Sequence, residues 1–339
     1  MNSALRSSIE EAVAVYAREG LFPPPLAATL LAFVDSYLGA IAASNGEEKP
    51  ALERLFCFLE LVAGQLRSPY LFPLYHAAER SPFDYYRFAL DFMAALIDRR
   101  QSRFVGEELL EPIEGLLDQG DNVVLLANHQ IEPDPQVVSL FLEQRHPRLA
   151  GGLTAVAGHR VTSDPLAVPI SRGCNLISIW SKKYMDEPPQ LKEEKIAHNR
   201  QSLAELARLF KEGGQLIYIA PSGGRDRPNE EGNLLPALFD PQSIEMLMLL
   251  SSKAAEHPVH FFPLALKTHK LLPPPDVVHS ELGESRLVNY GPVHLGIGRR
   301  YSEEELALPQ ASSVHEKRLH RTDRAIRLWK ILLHLYEEL

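Results

Sequence analysis

The sequence predicts an α/β protein: an N-terminal antiparallel helical bundle followed by a larger α/β domain with a mostly parallel, mixed sheet covered by helices. Three observations predict it. Up to about Arg99, apolar residues recur at helical spacing. From Asn122 onward, short apolar runs alternate with helical patterns, the texture of a doubly covered parallel sheet. The chain has 339 residues, 45% hydrophobic and 23% charged, and so can bury a large core without disulfides or a structural metal.

In chain order, Ala4 to Glu19 is the first predicted helix, and it stops at Gly20. Pro23, Pro24 and Pro25 break the chain, and a second helix runs to about Ala43, before Asn45-Gly46. Lys49 to Gln65 is a third, with Leu52, Leu55, Phe56, Leu59 and Val62 on one face. Another is expected around Phe83 to Arg99. Short links between amphipathic helices suggest antiparallel packing. The linker near Arg67 to Pro73 places the boundary between a helical bundle domain, 1–70, and an α/β domain, 71–339. NVVLLAN, LTAVAG, NLISIW, QLIYIA and HFFPLAL are strand candidates, with PQVVSLFLEQRH and NRQSLAELARLFKEG as helices between some of them. From about Val314 to Leu339 the tail reads as a charged amphipathic helix.

Composition narrows the function. A net charge of −9 and a pI of about 5.8 argue against nucleic acid as a partner. Cys57 and Cys174 lie far apart in apolar stretches and match no zinc spacing, so they read as reduced core residues. The start, MNSALRSSIEEAV, resembles neither a signal peptide nor a transit peptide. The expected location is therefore cytoplasmic; a plastid stroma would require a transit peptide missing from this chain. The most membrane-like run, Leu26 to Ala43, contains Asp35 and is only just long enough to span, so it reads as a packed bundle helix. Any membrane contact is expected to be peripheral.

Ligands of α/β sheets sit outside the carboxyl ends of the strands, and three predicted strand ends carry chemistry. After NVVLLAN comes His129. After NLISIW come Ser181, Lys182, Lys183 and Tyr184. After QLIYIA come Pro221, Ser222, Gly223, Gly224, Arg225, Asp226 and Arg227. Arg presents a planar fork to a phosphate, Lys a point charge, and paired glycines let the backbone approach closely. Any one of these cations alone reads as a solvated loop charge; two clusters at equivalent strand ends favour a phosphate site.

NHQIEPDP and GHRVTSDP share a frame: His129 with Asp134-Pro135, and His159 with Asp164-Pro165. In the first, Asp134 is expected as the N-cap and Pro135 as the first residue of a helix of about twelve residues, which would fix the carboxylate. His129 can then fold back, so that one ring nitrogen meets Asp134 and the other faces a substrate hydroxyl. In the second, Pro169 follows closely, no long helix anchors Asp164, and Arg160 beside His159 disfavours an imidazolium. GHRVTSDP reads as a capped loop.

NHQIEPDP, SKKY, IAPSGGRDRP and FFPLAL, in this order and spacing, resemble the soluble plastid-type glycerol-3-phosphate acyltransferases and their bacterial relatives. The resemblance covers most of the chain, including DPLAVPISRGCNLISIWSKK and the PPP near Pro273. It implies transfer of a fatty acyl group from acyl carrier protein, or from coenzyme A, to the sn-1 hydroxyl of glycerol 3-phosphate. It further implies that NHQIEPDP is the catalytic copy, with His129 as general base, Asp134 as its partner, and Lys183, Arg225 and Arg227 holding the phosphate. Where the family places a His after the lysine pair, this chain has Tyr184, which donates one hydrogen bond but carries no positive charge near neutral pH. The implied mechanism is direct transfer without an acyl-enzyme; neither Cys174 nor any serine sits in a nucleophile-elbow frame, and no metal or cofactor is required.

Two other readings stand beside it: an acyltransferase with a lysophospholipid acceptor, and a catalytically silent relative that binds acyl carrier protein or lipid. The acyl groove is expected at the join of bundle and sheet. The last helix carries His315, Lys317, Arg318, His320, Arg321, Arg324 and Arg327, a candidate carrier-protein surface that reads better as a solvated face interspersed with acids.

Overall fold

The central strand runs are apolar without alternation because both faces of the sheet are covered. In β3 (Asn122–Ala127) every residue is buried. Val123, Leu125 and Ala127 enter one core, Val124 and Leu126 the other, as the pleat requires. The computed structural model describes residues 2–254, 256–274 and 286–339. Pro275, the last of the PPP run, lies outside the described residues.

The other described strands are β1 (Tyr75–His76), β2 (Arg103–Val105), β4 (Leu153–Gly158), β5 (Asn175–Ile179), β6 (Leu216–Ile219), β7 (Val259–Lys267) and β8 (His294–Ile297). Their order in the sheet is β1-β5-β4-β6-β3-β7-β8-β2. The five central strands, β5, β4, β6, β3 and β7, are parallel neighbours. β1 and β8 add antiparallel edges to β5 and β7, and β2 runs parallel to β8. The mostly parallel, mixed sheet is therefore as expected, and its five central strands are the five predicted runs. The three others are two to four residues long and carry no pattern readable in isolation.

The described helices are α1 (Asn2–Arg18), α2 (Pro24–Ala43), α3 (Glu48–Arg67), α4 (Tyr85–Ala94), α5 (Leu110–Asp118), α6 (Asp134–Leu142), α7 (Pro147–Gly152), α8 (Arg160–Ser163), α9 (Val168–Ser171), α10 (Lys192–Glu212), α11 (Pro241–Ser251), α12 (Glu303–Leu306) and α13 (Val314–Glu337). α1, α2 and α3 pack on one another as a bundle. Gly20 follows the end of α1 with φ of +74°. Leu52, Leu55, Leu59 and Val62 are buried on α3, whereas Phe56 is 38% exposed and lies off the predicted face. α2 is apolar enough to cross a membrane, yet Leu26, Leu30, Phe33, Val34, Tyr37, Ala40 and Ile41 bury a helical stripe in the protein core.

One core joins this bundle to the sheet: Leu30, Phe33, Leu55 and Phe58 belong to the same buried cluster as Phe92, Val138, Leu125 and Leu264. The opposite face is covered by α10, α11 and α13, through Leu206, Phe210, Leu247, Leu328 and Leu332. Burying each such side chain contributes about 1.5–3 kcal/mol. Two predicted extents change. α4 runs over ten residues rather than from Phe83 to Arg99, because Asp84 caps it through the Arg87 amide and Ala95 ends it. α6 has nine residues, not about twelve.

Candidate active site

The carboxyl ends of β4, β5, β6, β3 and β7 lie along one edge of the sheet, since these strands are parallel. β3 ends at Ala127, and Asn128 extends its pairing with a side chain. Asn128 Nδ2 donates to Leu266 O at 2.9 Å and its Oδ1 accepts from Leu266 N at 2.7 Å. The next residue is His129. Its Nδ1 lies 2.9 Å from Asp134 Oδ2, and its side chain is 27% exposed, whereas Asp134 is fully buried.

Asp134 is not the N-cap expected of it. Pro133 holds that position, and Asp134 is the first residue of α6. Its Oδ2 faces back up the chain and accepts the Gln130 and Ile131 amides at 2.8 and 3.1 Å. Its Oδ1 accepts Thr268 Oγ1 at 2.6 Å. The donors that hold the carboxylate thus come from the loop itself and from Thr268, just after β7. The four partners compensate the burial of the charge and fix which oxygen meets the imidazole.

The β6 loop is tied to this dyad. The Asp226 amide donates to His129 O at 2.6 Å, and Asp226 Oδ2 accepts Asn128 Nδ2 at 2.7 Å and Gln130 Nε2 at 3.3 Å. Asp226 is fully buried, which anchors the loop between the half-buried Arg225 and the exposed Arg227. Burial pushes the Asp226 carboxyl up to about 6, against the pull of its hydrogen bonds. Arg227 stands near enough to His269, after β7, to add to the burial that lowers the His269 pKa. Burial alone would raise the Glu132 carboxyl, but Arg286, then Arg225 and Arg160, outweigh it and lower its pKa.

The lysine loop joins the same edge through Asp240. Lys182 Nζ lies 2.8 Å from Asp240 Oδ2, and the Asp240 amide donates to Pro221 O at 3.2 Å. Lys182 is therefore engaged by a carboxylate. Lys183 is exposed, with Nζ 5.4 Å from the Tyr184 ring centroid.

Residues 102–267, from β2 to the end of β7, match the family described as Acyltransferase. The chain is 41% identical over 292 residues to a chloroplastic glycerol-3-phosphate acyltransferase of Cucurbita moschata, covering 85% of this chain and 63% of the relative. It is 39% identical over 285 residues to one from Arabidopsis thaliana, covering 83% and 62%. It is 34% identical over 326 residues to the chloroplastic glycerol-3-phosphate acyltransferase of Spinacia oleracea, covering 93% of this chain and 69% of that protein. This chain belongs to the glycerol-3-phosphate acyltransferase family. It spans just under two thirds of the length of its Cucurbita and Arabidopsis relatives.

In this member of the glycerol-3-phosphate acyltransferase family, the two His-Asp frames are built differently. His159 stacks on Trp180, with ring centroids 3.8 Å apart, while Asp164 accepts from Arg286 at 2.9 Å and from the Leu166 amide. No dyad forms there. The His159 pKa falls to about 4, but burial, His198 and Lys195 cause it rather than Arg160. The segment is also not a simple capped loop, since α8 occupies Arg160–Ser163 within it.

Several residues at the candidate site escaped the sequence reading. Thr268 and Gln130 hold the dyad loop, and Gln130 also meets Tyr336 Oη of α13 at 3.2 Å. Only the Asp240-Pro241 pair that opens α11, matching Asp134-Pro135, gave a readable signal. The burial of Cys174 pushes its thiol up to about 12, and burial likewise raises the Cys57 thiol. On α13, Arg321 and Arg324 bind Glu245, and Arg327 donates to the carbonyls of Glu305 and Ala307. Those three cations are engaged within the molecule, which weakens the tail as a carrier-protein surface.

Proposed function

We propose that this chain transfers a fatty acyl group from an acyl-carrier thioester to the sn-1 hydroxyl of glycerol 3-phosphate. The observation that carries the reading is the buried Asp134 on His129 Nδ1, with the Arg225–Arg227 loop hydrogen-bonded to the backbone of His129 itself.

With Nδ1 turned to Asp134, Nε2 is the nitrogen that receives the proton of the glycerol hydroxyl as its oxygen attacks the thioester carbonyl. Asp134 stabilises the resulting imidazolium. The tetrahedral intermediate collapses to the ester, the carrier thiolate leaves, and the imidazolium returns the proton to it. Lys183, Arg225 and Arg227 hold the phosphate and so orient the hydroxyl, with Tyr184 adding a neutral donor.

An apolar cavity supports the acyl part of the reading. It lies between bundle and sheet and is lined by Phe33, Phe58, Phe92, Pro135, Leu166 and Leu272. Pro135 follows Asp134 directly, so the chain of a bound acyl group would run from the dyad toward the bundle. The donor in this reading is the thioester of acyl carrier protein or of coenzyme A, and the compartment a soluble one, cytoplasm or plastid stroma, with no more than peripheral membrane contact.

The test is an initial-rate assay of glycerol 3-phosphate acylation, with product analysis, for wild type and His129→Ala. The expected loss in kcat is about 10²–10⁴-fold, with glycerol 3-phosphate binding retained by calorimetry. Acylation of a lysophospholipid instead, or binding without turnover by the wild type, overturns the reading.

A further inference from the structure

The second frame, GHRVTSDP, is left without a chemical task once its His and Asp prove not to meet. Its two ends instead reach the two halves of the site. His159 lies flat on Trp180, at 22° and 3.8 Å, at the start of the lysine loop. The backbone of Trp180 is fixed by Asn199, whose Oδ1 accepts its amide at 2.7 Å and whose Nδ2 donates to its carbonyl at 2.9 Å. The Nζ of Lys195 stands 4.4 Å from the Trp180 ring centroid.

Lys195 is only 2% exposed, and its ammonium donates to Tyr184 O at 2.6 Å and to Glu187 O. A buried ammonium held by carbonyls and an aromatic face is costly unless those partners stay in place. It therefore holds the backbone of the loop that presents Lys183 and Tyr184. His159, kept neutral by burial, closes the stack without adding charge.

The other end is Asp164, 4% exposed. Its Oδ2 accepts Arg286 Nη2 at 2.9 Å. Arg286 in turn forks Glu132, through Nε at 2.8 Å and Nη2 at 3.1 Å. Glu132 sits between His129 and Asp134 in the dyad loop. A planar guanidinium bridging two carboxylates sets their separation more strictly than a lysine would.

We infer that GHRVTSDP is a positioning segment: its His159 end braces the phosphate-holding loop through Trp180 and Lys195, and its Asp164 end braces the dyad loop through Arg286 and Glu132. The inference rests on the acyl-transfer reading proposed above. It assigns no catalytic role to His159 or Asp164, whose side chains engage Trp180 and, for Asp164, Arg286 and the Leu166 amide.

The two ends have different kinetic signatures, which a merely structural segment would not separate. His159→Ala and Lys195→Met are expected to raise the glycerol 3-phosphate KM about tenfold, the worth of one charge-assisted hydrogen bond, with kcat at saturation near wild type. His159→Phe and Lys195→Arg, which keep the stack and the donors, are expected to restore the KM. Asp164→Asn is expected to lower kcat about tenfold with that KM unchanged. Each variant is checked by thermal melting.

If Lys195→Met does not fold, His159→Ala against His159→Phe carries the same test. Wild-type KM in His159→Ala, or equal effects on kcat and KM at both ends, overturns the inference. A wild type that never acylates glycerol 3-phosphate overturns the function instead, and the two failures are thus distinct.

Discussion

Asp134 shows how much of the site is decided by single hydrogen bonds. The imidazole receives only one of its oxygens; the other is taken by Thr268 at 2.6 Å. Thr268→Val removes that bond while keeping the shape. A hydrogen bond to a charged group contributes about 1.5–3 kcal/mol, so kcat is expected to fall at least tenfold, with the glycerol 3-phosphate KM unchanged in steady-state assays. An unchanged kcat would mean that the loop amides alone orient the carboxylate.

His159 makes a pH prediction at the same scale. Its pKa is about 4 in the folded protein, against 6.5 for an unperturbed side chain. The unfolded chain therefore binds more protons between these values. The stability contribution is complete above pH 6.5 and is lost as the pH falls toward 4. After allowance for solvent near the partly buried ring, the loss is about 1–2 kcal/mol. In His159→Phe, which does not titrate, urea unfolding midpoints should lose this part of their pH dependence. An identical slope in both proteins would contradict it.

At the scale of elements, the site depends on how strands and helices are joined. Gly106 follows β2 with φ of +77°, and a Cβ there would stand 1.9 Å from Ile297 O at the end of β8. Only glycine combines the left-handed backbone with that approach. Gly106→Ala is expected to cost at least about 2–3 kcal/mol, read as a lower midpoint in denaturant. The effect is local to the β2–β8 edge, away from the dyad, so kcat in the surviving folded protein should be retained.

For the whole molecule, the shared core decides how far the bundle is a separate domain. Leu55 of α3 and Leu264 of β7 lie in one buried cluster, while Leu332 of α13 lies across the sheet in the other. We propose that residues 1–70 and 71–339 are joined closely enough to unfold together. Leu55→Ala and Leu332→Ala should each cost about 2–5 kcal/mol and shift a single calorimetric transition. Two separate transitions, with Leu55→Ala moving only one, would refute this. The same junction holds the apolar cavity, so a loosened bundle is also expected to weaken acyl-donor use.

What the sequence determined by itself were the features carried by local pattern. Buried-strand runs, helical stripes, the bundle and the order of strand-end residues were all legible, because periodicity and turn residues are properties of neighbours in the chain. His129, Asp134, Lys183, Arg225 and Arg227 were legible as candidates for the same reason. Tertiary structure alone decided the rest. Thr268 is 134 residues from Asp134, and Arg286 is 122 from Asp164 and 154 from Glu132. No local spacing marks such partners; Thr268 arrives because parallel strands bring their carboxyl ends to one edge, and Arg286 because the antiparallel β8 that follows it starts beside the carboxyl end of β7. The two His-x4-Asp frames are alike in sequence. One became a dyad and the other reads as a brace, because β3 is followed by a loop whose amides gather Asp134, whereas after β4 a four-residue helix leaves Asp164 facing Arg286.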